Sequence, residues 1–192
     1  MKILGTTKWL RLCLIAVITV FAFGLATNAQ AEVFKQRWSG WFVSSSEADL
    51  NGDGTGGEVT FSGRGTFGQS VNHGVTDIVF SGAPCDFDPV TGEPAGLTFS
   101  IIQHTNILVA GNGDQLFRVL SSDSESTVCV NFATLTATLV AYLDIVGGTG
   151  RFEGATGSTI LKTEVIVIGL QNSVTGTEEG EIFGIGRRHD DD

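Results

Sequence analysis

The residues best suited to chemistry lie in one short acidic segment, Asp49-Leu50-Asn51-Gly52-Asp53-Gly54-Thr55. Asp49, Asn51 and Asp53 present oxygen ligands at alternating positions, and the glycine that follows lets the chain bend sharply, as in the first half of a calcium loop. The second half does not match, because Thr60 stands where a bidentate glutamate belongs. The segment predicts either a calcium site with Asp49, Asn51 and Asp53 as metal ligands or, as the favoured interpretation, an acidic turn between two strands.

No other group of residues forms a recognisable catalytic set. His73, His104 and His189 lack metal-ligand spacing. His73 and His104 can each line a cavity or be an ordinary strand histidine. The run Gly147–Gly150 lacks the third glycine and the following helix that bind a nucleotide phosphate. We therefore assign no catalytic residues and no cofactor, calcium apart.

The first residues have the features of an export signal. Lys2, Lys8 and Arg11 precede an apolar stretch that is short for a membrane-spanning helix, and small residues lead up to Ala31. The alternative is a retained membrane anchor. We predict a signal peptide at residues 1–31, cleavage after Ala31, and a secreted or periplasmic protein with no membrane segment after cleavage.

The remaining residues, 32–192, suit a single domain with its own core. The full chain carries a net charge of −10, and loss of the three leader cations makes this −13. Nucleic acids and anionic membranes require positive surfaces, so neither is an expected partner. An acidic surface is instead compatible with cations as ligands.

Two cysteines remain after the leader is removed. Cys85 and Cys129 form an even pair in a chain predicted to be exported, which favours one disulfide between them. Closing that loop stabilises the fold by about 4 kcal/mol in the chain-entropy model. The alternative is two separate buried thiols.

Alternating apolar and polar residues predict strands along nearly the whole domain. The clearest runs are Thr134–Val146 and Val59–Phe67, and Gly111–Asp114 is typical of a hairpin turn. The segment Pro84–Pro94 is predicted to be a long loop. Eight to ten strands with short connections favour an all-β, single antiparallel closed barrel of about eight strands, since closure removes exposed edges. A two-sheet β-sandwich is the alternative.

The run Ile145–Ser158, which contains the letters GGTGRFEGATG, resembles a segment of the allene oxide cyclase and dirigent proteins. It is most similar to small exported bacterial proteins with the same run. The resemblance implies an eight-stranded barrel with a central cavity, often assembled as dimers or trimers, and it transfers no active-site residue to this chain. From the residues themselves, we expect its glycines to form tight turns and Phe152 to plug the core.

These observations lead to three expectations for function. The first is a non-catalytic exported barrel that binds a small apolar ligand or assembles into a homo-oligomer. The second is a cyclase- or dirigent-like protein that steers a reactive hydrophobic intermediate, as an isomerase would. The third is a structural or adhesive surface protein stabilised by calcium. Trp38, Trp41 and Phe42 can contact a ligand at a barrel mouth, although core packing is their favoured role.

Overall fold

In the computed structural model, residues 30–167 and 171–186 are described. Residues 1–29 of the predicted export signal lie outside them, so the signal stays a prediction. Within the described part of the chain, no helix is both long enough and apolar enough to cross a bilayer.

The described residues form nine strands and one short helical turn. The strands are β1 (Glu32–Ser44), β2 (Gly57–Gly65), β3 (Gly68–Phe87), β4 (Pro94–Ala110), β5 (Gln115–Leu120), β6 (Thr127–Asn131), β7 (Thr136–Gly148), β8 (Thr156–Ile166) and β9 (Gln171–Phe183). A 3₁₀ helix at Gly150–Phe152 follows β7. All strand pairings are antiparallel.

The hydrogen-bonded strands close into a ring. Its order is β3-β2-β1-β9-β8-β7-β5-β4, and β4 pairs back onto β3. Strands β5 and β6 both lie between β4 and β7, so together they fill one position and the ring has eight. The predicted all-β fold with about eight antiparallel strands in a closed barrel is confirmed.

The ring interior contains two apolar clusters at opposite ends of the strands. Along β1, Phe34 belongs to one cluster and Trp38 to the other, with the polar Gln36 buried between them. We call the first the plugged end; it contains Phe34, Leu108, Ala110, Leu116, Ile145, Phe152, Ala155 and Ile182. We call the second the Trp38 end; its buried members include Trp38, Val59, Phe61, Leu161 and Val174.

The 3₁₀ helix closes the plugged end. Phe152 is fully buried and meets Phe67 edge to face, with ring centroids 4.9 Å apart. The Arg151 guanidinium lies 4.8 Å from the centroids of both rings, and its Nε is 3.5 Å from an oxygen of Asp114. Gly150 has φ +60°, and a Cβ there would collide with Asp114. The expectation that Phe152 plugs the core is confirmed.

Two other sequence predictions concern the region around Cys85. The disulfide between Cys85 and Cys129 is confirmed, with a Cα–Cα distance of 5.8 Å. The predicted loop Pro84–Pro94 is wrong at both ends, because β3 continues to Phe87 and β4 begins at Pro94. The pairing there has several register shifts, so the strand accommodates Pro84 where the ladder is already irregular.

Candidate functional site

A cavity of about 160 Å³ lies inside the ring at the Trp38 end. Its wall is mostly apolar. Among the described residues, those that line the cavity include no charged side chain. The aromatic part of the wall is Trp38, Phe42 and Phe61. A well-characterised protein cavity of about 150 Å³ with an apolar lining binds benzene, so this space matches a ligand of that size.

Inward-facing glycines make room for the aromatic wall. A Cβ at Gly176 would lie 2.6 Å from the Trp38 ring, and one at Gly63 would lie 2.8 Å from the Trp38 Cβ. A Cβ at Gly57 would lie 2.2 Å from the Phe42 ring. Trp38 stacks on Phe61 with centroids 4.2 Å apart. The glycines inside these strands therefore shape the cavity as well as the curvature of the sheet.

Three polar atoms belong to residues that line this cavity and lack hydrogen-bond partners. They are Nε1 of Trp38, Nε2 of His104 and Oγ1 of Thr163. The three side chains come from different strands, β1, β4 and β8, and all three are buried. A buried polar group without a partner is unfavourable in a folded protein and is a sign of an absent partner molecule. The mostly apolar wall of the cavity thus includes three residues that each have a buried polar atom without a hydrogen-bond partner.

His104 is held in one orientation and in its neutral form. Its Nδ1 lies 2.7 Å from the Thr76 hydroxyl, which leaves Nε2 as the free ring nitrogen. Burial, and secondly the charge of Arg118, lower the pKa of His104 from 6.5 to about 3. A neutral imidazole can donate or accept one hydrogen bond at Nε2, but with this pKa it is a very weak general base.

A polar layer separates the cavity from the plugged end. Arg118 forms a buried ion pair with Glu178 and donates hydrogen bonds to the side-chain oxygens of Asn72 and Asn106. The other oxygen of Glu178 accepts a hydrogen bond from the Thr159 hydroxyl at 2.6 Å. The five side chains come from five strands, so the layer links much of the ring in one network.

The sequence-predicted calcium segment lies in the loop between β1 and β2, at the Trp38 end. The Asp49 carboxylate accepts hydrogen bonds from the backbone N–H groups of Gly52, Asp53 and Gly54, at 2.8 to 3.2 Å. Asn51 donates to Asp53 through its Nδ2 and accepts from the Asp53 backbone N–H through its Oδ1. The side-chain hydrogen bond from Thr55 holds the pKa of Asp53 below its usual value of 3.8.

The structure adds a residue that was not predicted from the sequence. A carboxylate oxygen of Asp77, on β3, lies within 4.8 Å of carboxylate oxygens of Asp49 and Asp53. The other acidic residue of β3, Asp86, is nine residues away from Asp77, so no local spacing indicates this role. Arg118 did have a signal: it is a charged residue at an inward-facing position, two residues from Leu116 and two from Leu120.

The remaining candidates divide between the two faces of the sheet. His104 lies at the cavity, whereas His73 is exposed and its Nδ1 is 3.3 Å from the Thr60 hydroxyl. Trp38 and Phe42 line the cavity, whereas Trp41 points to the outer face and is 47% exposed. Alternation along β1 explains this division, because successive side chains point to opposite faces.

No protein-family model matches this chain, and no curated protein sequence is significantly similar to it.

Proposed function

We propose that this protein is an exported, non-catalytic barrel that binds a small, mostly apolar molecule carrying a hydrogen-bonding group. The observation that carries the proposal is the cavity at the Trp38 end, whose mostly apolar wall includes three residues that each have a buried polar atom without a partner. Ligand sites typically have this composition, with a hydrophobic lining and a few convergent polar groups that set orientation. The similarity of the Ile145–Ser158 run to cavity-containing barrels supports the same proposal.

Binding is favoured over catalysis because the cavity lacks a group suited to proton transfer. The ionised side chains of Arg118 and Glu178 bond to each other in the polar layer and are not part of the cavity wall. His104 lines the cavity, but its pKa of about 3 makes it a poor proton acceptor near neutral pH. A neutral donor or acceptor recognises a hydroxyl or carbonyl group without chemical change.

Export is the second part of the proposal. The basic and apolar leader before Ala31 supports it, and so does the disulfide between Cys85 and Cys129, since disulfides persist in oxidising compartments. Edman sequencing of the protein secreted or released from cells tests this part. An N-terminus at Glu32 is the expected result, and an uncleaved leader contradicts it.

Binding can be tested with two probes of similar size, phenol and benzene. In NMR titrations we expect both to shift the indole N–H resonance of Trp38, and we expect phenol to bind more tightly because its hydroxyl meets the unpartnered cavity atoms. Ala137, in the cavity wall, offers a blocking variant: Ala137→Leu should fill the space and abolish both titrations. Val146→Leu on the outer face of the same strand is the matched control.

Two results would contradict the proposal. One is the absence of any Trp38 shift at probe concentrations up to solubility. The other is equal binding by the wild type and Ala137→Leu, which would place the probes outside the cavity.

A further inference from the structure

Asp77 is a buried carboxylate whose hydrogen bonding is incomplete. It is fully buried, and its Oδ2 accepts the Leu50 backbone N–H at 2.9 Å, but its Oδ1 has no hydrogen-bond partner. Its neighbours Thr76 and Ile78 line the cavity, so Asp77 points to the opposite face of β3. Asp77 is therefore buried beneath the loop between β1 and β2.

Two more carboxylates approach Asp77 from that loop. One oxygen each from Asp49, Asp53 and Asp77 lies within 4.8 Å of the other two. Neither ion pair found in the described ranges involves these three residues, so no lysine or arginine there offsets their charge. Three like charges, one of them buried with an unmet oxygen, are unfavourable unless a cation joins them.

The spacing of the oxygens fits calcium. Calcium binds oxygen at about 2.3–2.6 Å, so two ligands on opposite sides of one ion lie roughly 4.6–5.2 Å apart. Magnesium requires a near-ideal octahedron and usually keeps several of its waters, so a cluster of protein carboxylates suits it less well than calcium. The cluster contains neither histidine nor cysteine, which zinc sites commonly use.

We infer that Asp49, Asp53 and Asp77 bind one calcium ion, which fastens the β1–β2 loop to the outer face of β3. Asp77 replaces the glutamate that the loop itself lacks, because Thr60 stands at that position. Asn51 shapes the turn through its two hydrogen bonds with Asp53. Asp77 and the cavity lie on opposite faces of β3, but Thr55, which lines the cavity, donates a hydrogen bond to Asp53, so the calcium site and the cavity share one residue of the loop.

The test is calorimetric titration of chelator-treated protein with calcium chloride, with melting temperatures measured in parallel. We expect a single site with a dissociation constant of roughly 0.1–1 mM, as in extracellular calcium modules. Calcium at 10 mM should then raise the melting temperature by roughly 3–10 °C, by preferential binding to the folded state. Magnesium chloride at the same concentration should give a smaller rise.

Asp77→Asn is the most informative variant, because it keeps an oxygen for the Leu50 N–H and removes the buried charge. We expect calcium affinity to fall at least tenfold and the calcium-free protein to melt at the same temperature as the wild type or higher. Asp53→Asn, at an exposed position, gives the same loss of affinity with no risk to folding. Asp88→Asn is the matched control, since Asp88 also accepts backbone hydrogen bonds in an exposed turn but lies outside the cluster.

Three outcomes would overturn the inference. They are the absence of binding heat and of a melting shift at 10 mM calcium, an unchanged calcium response in both Asp77→Asn and Asp53→Asn, and an equal loss of response in Asp88→Asn.

Discussion

The same strands form both ends of the barrel, but one end is closed by a short helix and the other contains a cavity. At the plugged end, Leu116 and Phe152 are fully buried and the 3₁₀ helix covers the opening. At the Trp38 end, the wall surrounds a partly open cavity, and three residues of that wall have a buried polar atom without a partner. Dense packing stabilises a fold, whereas a void with unmet polar groups weakens it. The contrast supports the proposal that the Trp38 end binds a ligand, whereas the plugged end closes the fold.

The disulfide strengthens this reading of the Trp38 end. Cys129 stands between Val128 and Val130 on β6, and both of these valines line the cavity. The covalent bond to Cys85 therefore ties this part of the cavity wall to β3. Neither cysteine lines the cavity, so the cross-link restrains the wall without filling the space.

The largest expected effect comes from breaking the polar layer between the two ends. Glu178→Leu leaves the Arg118 guanidinium buried without its counter-charge, and we expect a loss of about 3–5 kcal/mol in unfolding free energy. The double variant with Arg118→Met should recover at least half of that loss, because a buried ion pair can often be replaced by apolar residues at little cost. Urea denaturation measures both.

Failure of the double variant to recover stability would contradict this account. It would mean that the network to Asn72 and Asn106, rather than the ion pair, holds the two ends together. The Arg118–Glu178 ion pair would then not be what separates the two ends of the barrel.

Much of the fold follows from local sequence pattern. The alternation in Thr134–Val146 corresponds closely to β7, and Gly111–Asp114 forms the turn between β4 and β5. Both signals are local, because side-chain alternation and turn chemistry depend on neighbouring residues. The strand ending at Phe87 was missed because proline and glycine in its last part are typical of loops, and pairing with β4, together with the disulfide from Cys85 to Cys129, overrides that preference.

The candidate sites could be predicted only in part. Asp49 and Asp53 stand in a recognisable spacing, but Asp77 joins them only because the chain folds the β1–β2 loop over β3. The unmet groups of His104 and Thr163 are likewise a property of the closed ring, since no sequence pattern shows which polar atoms will lack a partner. Contacts between distant strands decide these features.

A smaller effect is expected from the pH dependence of the Trp38 end. The pKa of His104 is about 3 in the folded protein, against an ordinary value of 6.5, so the unfolded chain binds the proton more tightly. The stability contributed by neutral His104 is fully present above about pH 6.5 and is lost as pH falls towards 3. Between pH 7.5 and pH 5.0, this amounts to about 2 kcal/mol.

His104→Gln isolates that contribution from the titration of other groups. The variant should lose about 2 kcal/mol less than the wild type between pH 7.5 and pH 5.0, measured by urea denaturation at both values. Equal losses in the two proteins would show that His104 is accessible to protons in the native state. The Trp38 end would then be a hydrated opening rather than a dry cavity.

The smallest effect gives the sharpest comparison, because it uses two threonines on the same face of β8. Thr159 donates a hydrogen bond to Glu178 in the polar layer, whereas Thr163 lines the cavity and its buried hydroxyl has no partner. Valine has nearly the shape of threonine, so each substitution removes a hydroxyl and little else. We expect Thr159→Val to lose about 1–3 kcal/mol, and Thr163→Val to be neutral or up to about 1 kcal/mol more stable.

The same two substitutions distinguish an effect on stability from an effect on ligand binding. Thr163→Val should weaken phenol binding relative to benzene, because the wild-type hydroxyl is available only to a ligand, whereas Thr159→Val should leave that ratio unchanged. Urea denaturation and the two probe titrations supply all the measurements. Equal destabilisation by both substitutions would mean that the Thr163 hydroxyl has a partner in the empty protein, and the Trp38 end would then be a second packed core.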